Sequence, residues 1–208
     1  MTPPDMTPPD VTLPDVAPPD TSLPEHTPHR TGRPRIRPAR SGDAEAIAAL
    51  HADGVRHSLA TFTTVVRTAP DWGEDIGSGL PILVAEDSAS GAFLGFAALG
   101  AFRSGPGYAH TAEHSIYLTE AARGHGVGRS LLIALENLAG SRDIHVLVAA
   151  ISGANPSAQA FHAACGYREV ARLPEVGYKW GQWLDLVLMQ KILREEETGR
   201  PDSRPDPG

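Results

Sequence analysis

HSIYLTEAARGHGVGRSLLIALEN, residues His114 to Asn137, begins as a strand, breaks on glycines and continues as a helix. Ser115-Ile116-Tyr117-Leu118 is apolar and β-branched, as a strand requires. Val127, Leu131, Leu132, Leu135 and Leu138 then recur at spacings of three and four, which puts them on one helical face, and Gly140 stands where that helix should stop. Between the two lies Arg123-Gly124-His125-Gly126-Val127-Gly128. A helix start carries unpaired N–H groups and partial positive charge, so it favours an anion. Gly124, Gly126 and Gly128 bring no Cβ to block a phosphate, and Arg123 and Arg129 add cations at the rim. The turn therefore reads as a pyrophosphate cradle.

Two familiar phosphate motifs do not fit. A P-loop needs a Lys after its last glycine, and none follows here. A dinucleotide fingerprint needs G-x-G-x-x-G, whereas these glycines alternate. What fits is R-x-x-G-x-G, the acetyl-CoA loop of the GNAT superfamily of acyltransferases. The chain resembles in particular the phosphinothricin and methionine sulfoximine/sulfone N-acetyltransferases. The resemblance runs through Phe102-Arg103-Ser104, Gly107 to Tyr117, the cradle, Asn155 to Tyr167, and Gly177 to Asp185, in the family's order.

Around this unit the pattern predicts a strand near Pro34 to Pro38 and a helix over Ser41 to Leu59, capped by Ser41 or Asp43 and weakened at Gly54. A short helix and loop beside the substrate pocket follow between Ala60 and Gly79. Leu80 to Glu86 and Ala92 to Phe102 read as a hairpin, and Thr111 to Leu118 as the central strand. Ile144 to Ile151 is a near-continuous apolar run, as in a strand covered on both faces. Asn155-Pro156 starts a helix that ends at Gly166, and Tyr167 to Leu173 and Trp183 to Lys191 are the last strands. This order makes a mixed α/β fold. The resemblance implies a GNAT-like, mostly antiparallel sheet of six or seven strands flanked by helices, its central strands splayed around the pantetheine arm.

The domain is expected over residues 34–193. Residues 1–33 repeat a Pro- and Asp-rich unit every five positions (TPPD, TPPD, TLPD, APPD, SLPE), and residues 194–208 are charged and proline-bearing; both are expected to be disordered. With 208 residues and a net charge of −7, the chain suits one catalytic domain and argues against nucleic acid or an anionic membrane as partner. The lone Cys165 cannot form an internal disulfide, and no leader or long apolar run appears, so a cytoplasmic protein is expected. No metal is expected.

Acyl transfer from a thioester to an amine needs an unprotonated nitrogen, donors for an oxyanion, and a thiolate that can leave. Glu113 is the candidate base; alternation puts it on one face with Thr111, Ser115 and Tyr117, and His114 on the other with Ile116. The alternative is a carboxylate that pairs with a nearby His or Arg and only shapes the pocket. Backbone N–H groups of Ile116, Tyr117 and Leu118 are the candidate donors. His162 occupies the helix position where many relatives carry a tyrosine, and is read as proton donor to the thiolate or as a contact to the sulfur. Asn155 resembles the family's CoA-contacting asparagine and also explains itself as a helix cap.

For the substrate, the guanidinium of Arg103 suits an α-carboxylate, with Ser104, Phe62 and His114 as further contacts and Lys179 and the tryptophans as candidate walls. Arg56 and His57 stand where relatives often carry Glu and a small polar residue, which leaves the amine open. The resemblance implies an acetyl-CoA-dependent N-acetyltransferase, acting on the α-amine of a small amino acid or analogue by direct transfer in a ternary complex, and a homodimer. The alternatives are another amine (a protein N-terminus, polyamine or aminoglycoside) or a non-catalytic acyl-CoA sensor.

Overall fold

The computed structural model describes residues 34–193. The expectations for residues 1–33 and 194–208 lie outside the described residues. The elements run β1 (Pro34–Pro38), α1 (Ala44–His57), α2 (Ala69–Gly77), β2 (Ile82–Asp87), β3 (Phe93–Ala101), β4 (Thr111–Leu118), α3 (Val127–Gly140), β5 (Val146–Ser152), α4 (Pro156–Ala164), β6 (Arg168–Lys179) and β7 (Gln182–Ile192). This is the predicted order. The sheet has seven strands in the order β1-β2-β3-β4-β5-β7-β6. Among the described residues only β4 and β5 pair in parallel.

A core lies on each face. On one, α1 and α2 cover Ile82, Val84, Phe96 and Ala98 with Ile47 and Trp72. On the other, α3 lays Val127, Leu131, Leu132 and Leu135 onto Leu83, Ala97, Leu99, Ala112, Leu147 and Ala149. Each buried leucine stabilises the fold by about 1.5–3 kcal/mol. Gly54, which should weaken α1, sits against Tyr117, where an added Cβ would lie 3.1 Å from the ring; the missing side chain lets helix and strand approach. Asp43 precedes α1 without capping it through its side chain, because its carboxylate accepts from Arg37 and from the Arg40 amide instead. The β6 strand runs past its predicted end at Leu173 to Lys179, with a pairing irregularity between Leu173 and Gly177.

The pairing of β4 and β5 is short. It runs from Thr111↔Val146 to His114↔Ala149 and stops, while β4 stays paired with β3 through Leu118 and β5 with β7 through Ser152. The two strands therefore part after His114, and the opening widens toward the start of α3. Among the described residues no helix is long and apolar enough to cross a membrane.

Candidate active site

The cradle forms as a left-handed turn. Gly124 and Gly126 have φ of 75° and 77°, a region that side-chain-bearing residues avoid, and open space surrounds both. The α3 helix starts on Gly126 with neither a side-chain cap nor an acidic residue in its first turn. Ser130 donates the first backbone bond of the helix, to the Gly126 carbonyl, which leaves the amides of Val127, Gly128 and Arg129 without helical acceptors. An anion is the partner such a terminus lacks. Arg123 and Arg129 are exposed at its edge, and His125 Nδ1 donates to the Arg123 carbonyl at 2.7 Å, bracing the turn.

Gly128 has a different job from the one its spacing suggested. It is buried, and an added Cβ would meet Leu118 at 3.1 Å and Phe161 at 3.5 Å. It seats the helix against β4 and α4; it does not admit a phosphate through its missing side chain.

Strand geometry decides which β4 amides reach the opening. The His110 carbonyl accepts from His145 and Val146 on the β5 side, whereas the Thr119 amide donates to Leu94 on the β3 side. With a period of two, the backbone groups of Ile116 and Leu118 face the gap and those of Tyr117 face β3. Tyr117 is thus no backbone contact for a ligand in the gap. Its ring stacks on Phe96 at 5.0 Å and packs near His51, on the α1/α2 face.

Glu113 lies on that same face, half-buried, and register pairs it with Gly100. Burial pushes its carboxyl above the ordinary glutamate value, and among the described residues no ion pair or hydrogen bond pulls it back. Among the described residues, the reading of Glu113 as a carboxylate paired with a nearby His or Arg finds no partner.

His114 turns the other way, into the α3/α4 core, against His162 and Tyr167. The substrate contact expected of it is replaced by a bond of 3.0 Å between its Nε2 and His162 Nε2. His162 Nδ1 donates to the Ala158 carbonyl at 2.8 Å, so its Nε2 is the acceptor and His114 Nε2–H the donor. Burial is the main cause that pushes both imidazoles down, His114 to about 3 with the neighbouring His162 adding to the shift. The pair is therefore neutral near pH 7, with both nitrogens of His162 occupied. A proton donor must first be protonated, and burial opposes that. His114 is the last residue of β4 paired with β5, so the two rings wall the vertex of the opening, which suits the contact reading of His162.

Asn155 caps α4: its Oδ1 accepts from the Ala158 amide at 3.1 Å and from Ser157 Oγ at 2.9 Å, which leaves only the carboxamide N–H groups for a ligand. Arg103 and Ser104 are exposed in the β3–β4 loop. They line a cavity of about 480 Å³ with Leu99, Ala112, Arg142 and Ile144, at the end of β4 away from the cradle. Glu113 is not among the residues that line this cavity. Arg56 and His57 are exposed at the end of α1, and His57 pairs with Asp53 at 2.9 Å.

Phe62 is brought in from the loop after α1. Its ring lies over Gly177, where an added Cβ would be 2.5 Å away. Lys179 is fully buried and donates to the Ser58 carbonyl at 2.8 Å and the Thr61 carbonyl at 2.9 Å. This tie joins residues 121 positions apart, and no spacing could have revealed it. Among the described residues no group of three or more His, Cys, Asp or Glu side chains could hold a metal ion.

The family model of the GNAT acetyltransferases matches residues 53–167, which span the cradle, β4 and α4. A methionine sulfoximine/methionine sulfone acetyltransferase of Pseudomonas aeruginosa is 37% identical over 155 residues, 73% of this chain and 90% of that protein. A phosphinothricin acetyltransferase of Sinorhizobium meliloti, solved in complex with acetyl-CoA, superposes with a TM-score of 0.71 at 31% identity over 82% of this chain and 97% of its own. A ribosomal-protein-alanine N-acetyltransferase from Brucella melitensis superposes with a TM-score of 0.71 at 39% identity, over 76% and 99%. With the uncapped α3 start, the parted strands and these relatives in agreement, the chain belongs to the GNAT family of acetyltransferases, which use acetyl-CoA.

Proposed function

We propose that the protein acetylates the α-amine of a small amino acid or analogue of the methionine sulfoximine and phosphinothricin type, by direct transfer in a ternary complex. The observation that carries the reading is the gap between β4 and β5, with the amides of Ile116 and Leu118 on its wall and the uncapped start of α3 at its mouth. The amides of Val127, Gly128 and Arg129 would hold the diphosphate, with Arg123 at the rim. Ile116 and Leu118 would hold the pantetheine arm by strand addition, and one of their N–H groups would stabilise the carbonyl oxygen during attack.

Acetyl-CoA supplies an acetyl group activated as a thioester. Glu113 takes the proton that the α-ammonium must lose, directly or through one water. The freed nitrogen then attacks the carbonyl carbon; the C–N bond forms, the C–S bond breaks with its electron pair leaving on sulfur, and the second proton that the nitrogen sheds on becoming an amide passes to the departing thiolate directly or through water. A thiol pKa of about 8.5 makes that thiolate a good leaving group without a histidine donor. His162 and His114 hold the vertex of the opening. Arg103, on the β3–β4 loop, remains our candidate for the substrate carboxylate and would have to swing toward β4 to reach it.

Exposed Val176, Tyr178, Trp180 and Trp183 gather on the β6–β7 hairpin and would form the contact of a homodimer. Light scattering of the wild type and Trp183→Asp tests this: a dimer that dissociates supports it, and a monomeric wild type refutes it. The activity is tested by steady-state turnover of acetyl-CoA with L-methionine sulfoximine, phosphinothricin and an alanine-initiated peptide. Turnover of the first two supports the proposal; turnover of the peptide alone moves the substrate to a protein N-terminus.

A further inference from the structure

Lys179 is a fully buried cation that the chemistry above leaves unused. Burying an ammonium is unfavourable unless its protons find acceptors. Its acceptors are the backbone carbonyls of Ser58 and Thr61, in a segment that has no helix or strand of its own. One further contact holds the same segment: the Phe62 ring lies on the bare backbone of Gly177.

The sheet topology says where this segment runs. Both β5 and β6 are antiparallel to β7, so β6 points the same way as β5, which is parallel to β4. Lys179, at the end of β6, therefore lies at the same end of the sheet as Leu118 and Ser152, where β4 and β5 have parted. The α1 helix packs on β3 and β4, and the strand order puts β5 and β7 between β4 and β6. Residues Ser58 to Phe62 must cross the mouth of the opening to reach Lys179 and Gly177. The α1 helix that they leave lies on the face that carries Tyr117 and Glu113.

We propose that Ser58 to Phe62 form a strap over the amine side of the active site, and that Lys179 is the positioning residue that fastens it. The strap puts Phe62 over the opening as an apolar wall for the side chain of the amine substrate. Lys179 touches neither substrate; it acts through the carbonyls it holds. This assignment rests on the proposed N-acetyltransferase reading and names the part of the site that sets amine affinity.

The test compares the full chain with Lys179→Met, which keeps the bulk of the stem and removes the donors, and with Gly177→Ala, which evicts the Phe62 ring while leaving the lysine in place. Phe62→Ala serves as a third variant, on a loop residue whose loss spares the core. With L-methionine sulfoximine as probe, each should raise the KM for the amine by about tenfold or more, with kcat and the KM for acetyl-CoA within about twofold. Hydrogen exchange of residues 58–62 should quicken in Lys179→Met, whether or not any amine is turned over. An unchanged KM for the amine, or an equal rise for both substrates, overturns the proposal. Unchanged exchange of the segment also overturns it. A wild type that acetylates no amine sinks the reading of the function, and the exchange result then judges the strap by itself.

Discussion

Replacing Glu113 by Gln keeps the shape of the side chain and removes its proton affinity. The consequence can be worked from the site. An α-ammonium has a pKa of about 8, so at pH 7 roughly a tenth of the substrate is neutral. A positioned base contributes about 10²–10⁴-fold, or about 2.7–5.5 kcal/mol at 1.36 kcal/mol per decade. Glu113→Gln should therefore lower kcat/KM for the amine by that factor at pH 7 while leaving the KM for acetyl-CoA unchanged. The deficit should shrink by about tenfold toward pH 9, where the amine is neutral unaided. The acid limb of the wild-type profile should lie above the ordinary glutamate value, because burial raises this carboxyl, and should vanish in the variant. Stability supplies the control. A carboxyl whose folded pKa is raised stabilises the fold below its unfolded pKa and loses that contribution as pH rises through the folded value. Glu113→Gln should thus melt no lower than wild type at pH 7, and the two should converge near pH 4. An unchanged kcat/KM with the acid limb intact would refute the assignment. A loss of activity that tracks a fall in melting temperature would refute it equally.

Other outcomes follow from the same geometry. His114 and His162 are both pushed down by burial, so the fold should lose stability as pH falls from about 6.5 toward the folded values, that of His114 near 3; NMR titration should find the His114 ring uncharged at pH 6 and the His162 ring titrating below the ordinary histidine value. Gly126→Ala forces a left-handed residue at the helix start and should cost about 1–2 kcal/mol in thermal unfolding, with the KM for acetyl-CoA rising and the KM for the amine unmoved. Asn155→Ala removes the α4 cap, and denaturant unfolding should register a loss of about 1 kcal/mol. Leu135→Ala, in the fully buried stripe of α3, should cost about 2.7–5 kcal/mol in the same measurement.

Much of this site is local, and local features were legible. The alternation of Thr111 to Tyr117 separated Glu113 from His114 correctly, and the leucine spacing placed α3 on the sheet to within its observed span. Glycine roles were only half visible. Gly124, Gly126 and Gly128 look alike in a string, yet the first two have positive φ and open surroundings while the third is set by Leu118 and Phe161. Pairings across the sheet were not visible at all. The His114–His162 bond joins residues 48 apart, and it removes His162 from service as a poised acid by occupying both ring nitrogens. Which β4 amides face the gap depends on where the β5 pairing stops, and strand composition does not encode that. Lys179 followed the same rule: a lysine in a Gly-Tyr-Lys-Trp run gives no hint that its partners lie at the end of α1.

A structure of the protein with CoA bound tests the central claim most directly. The account predicts the diphosphate within hydrogen-bond distance of the Val127, Gly128 and Arg129 amides, the pantetheine arm against Ile116 and Leu118, and the sulfur at the vertex beside His114, within reach of Glu113 through the substrate nitrogen or one water. A diphosphate bound away from the α3 start, or a sulfur on the side of the sheet that Glu113 cannot reach, would contradict it.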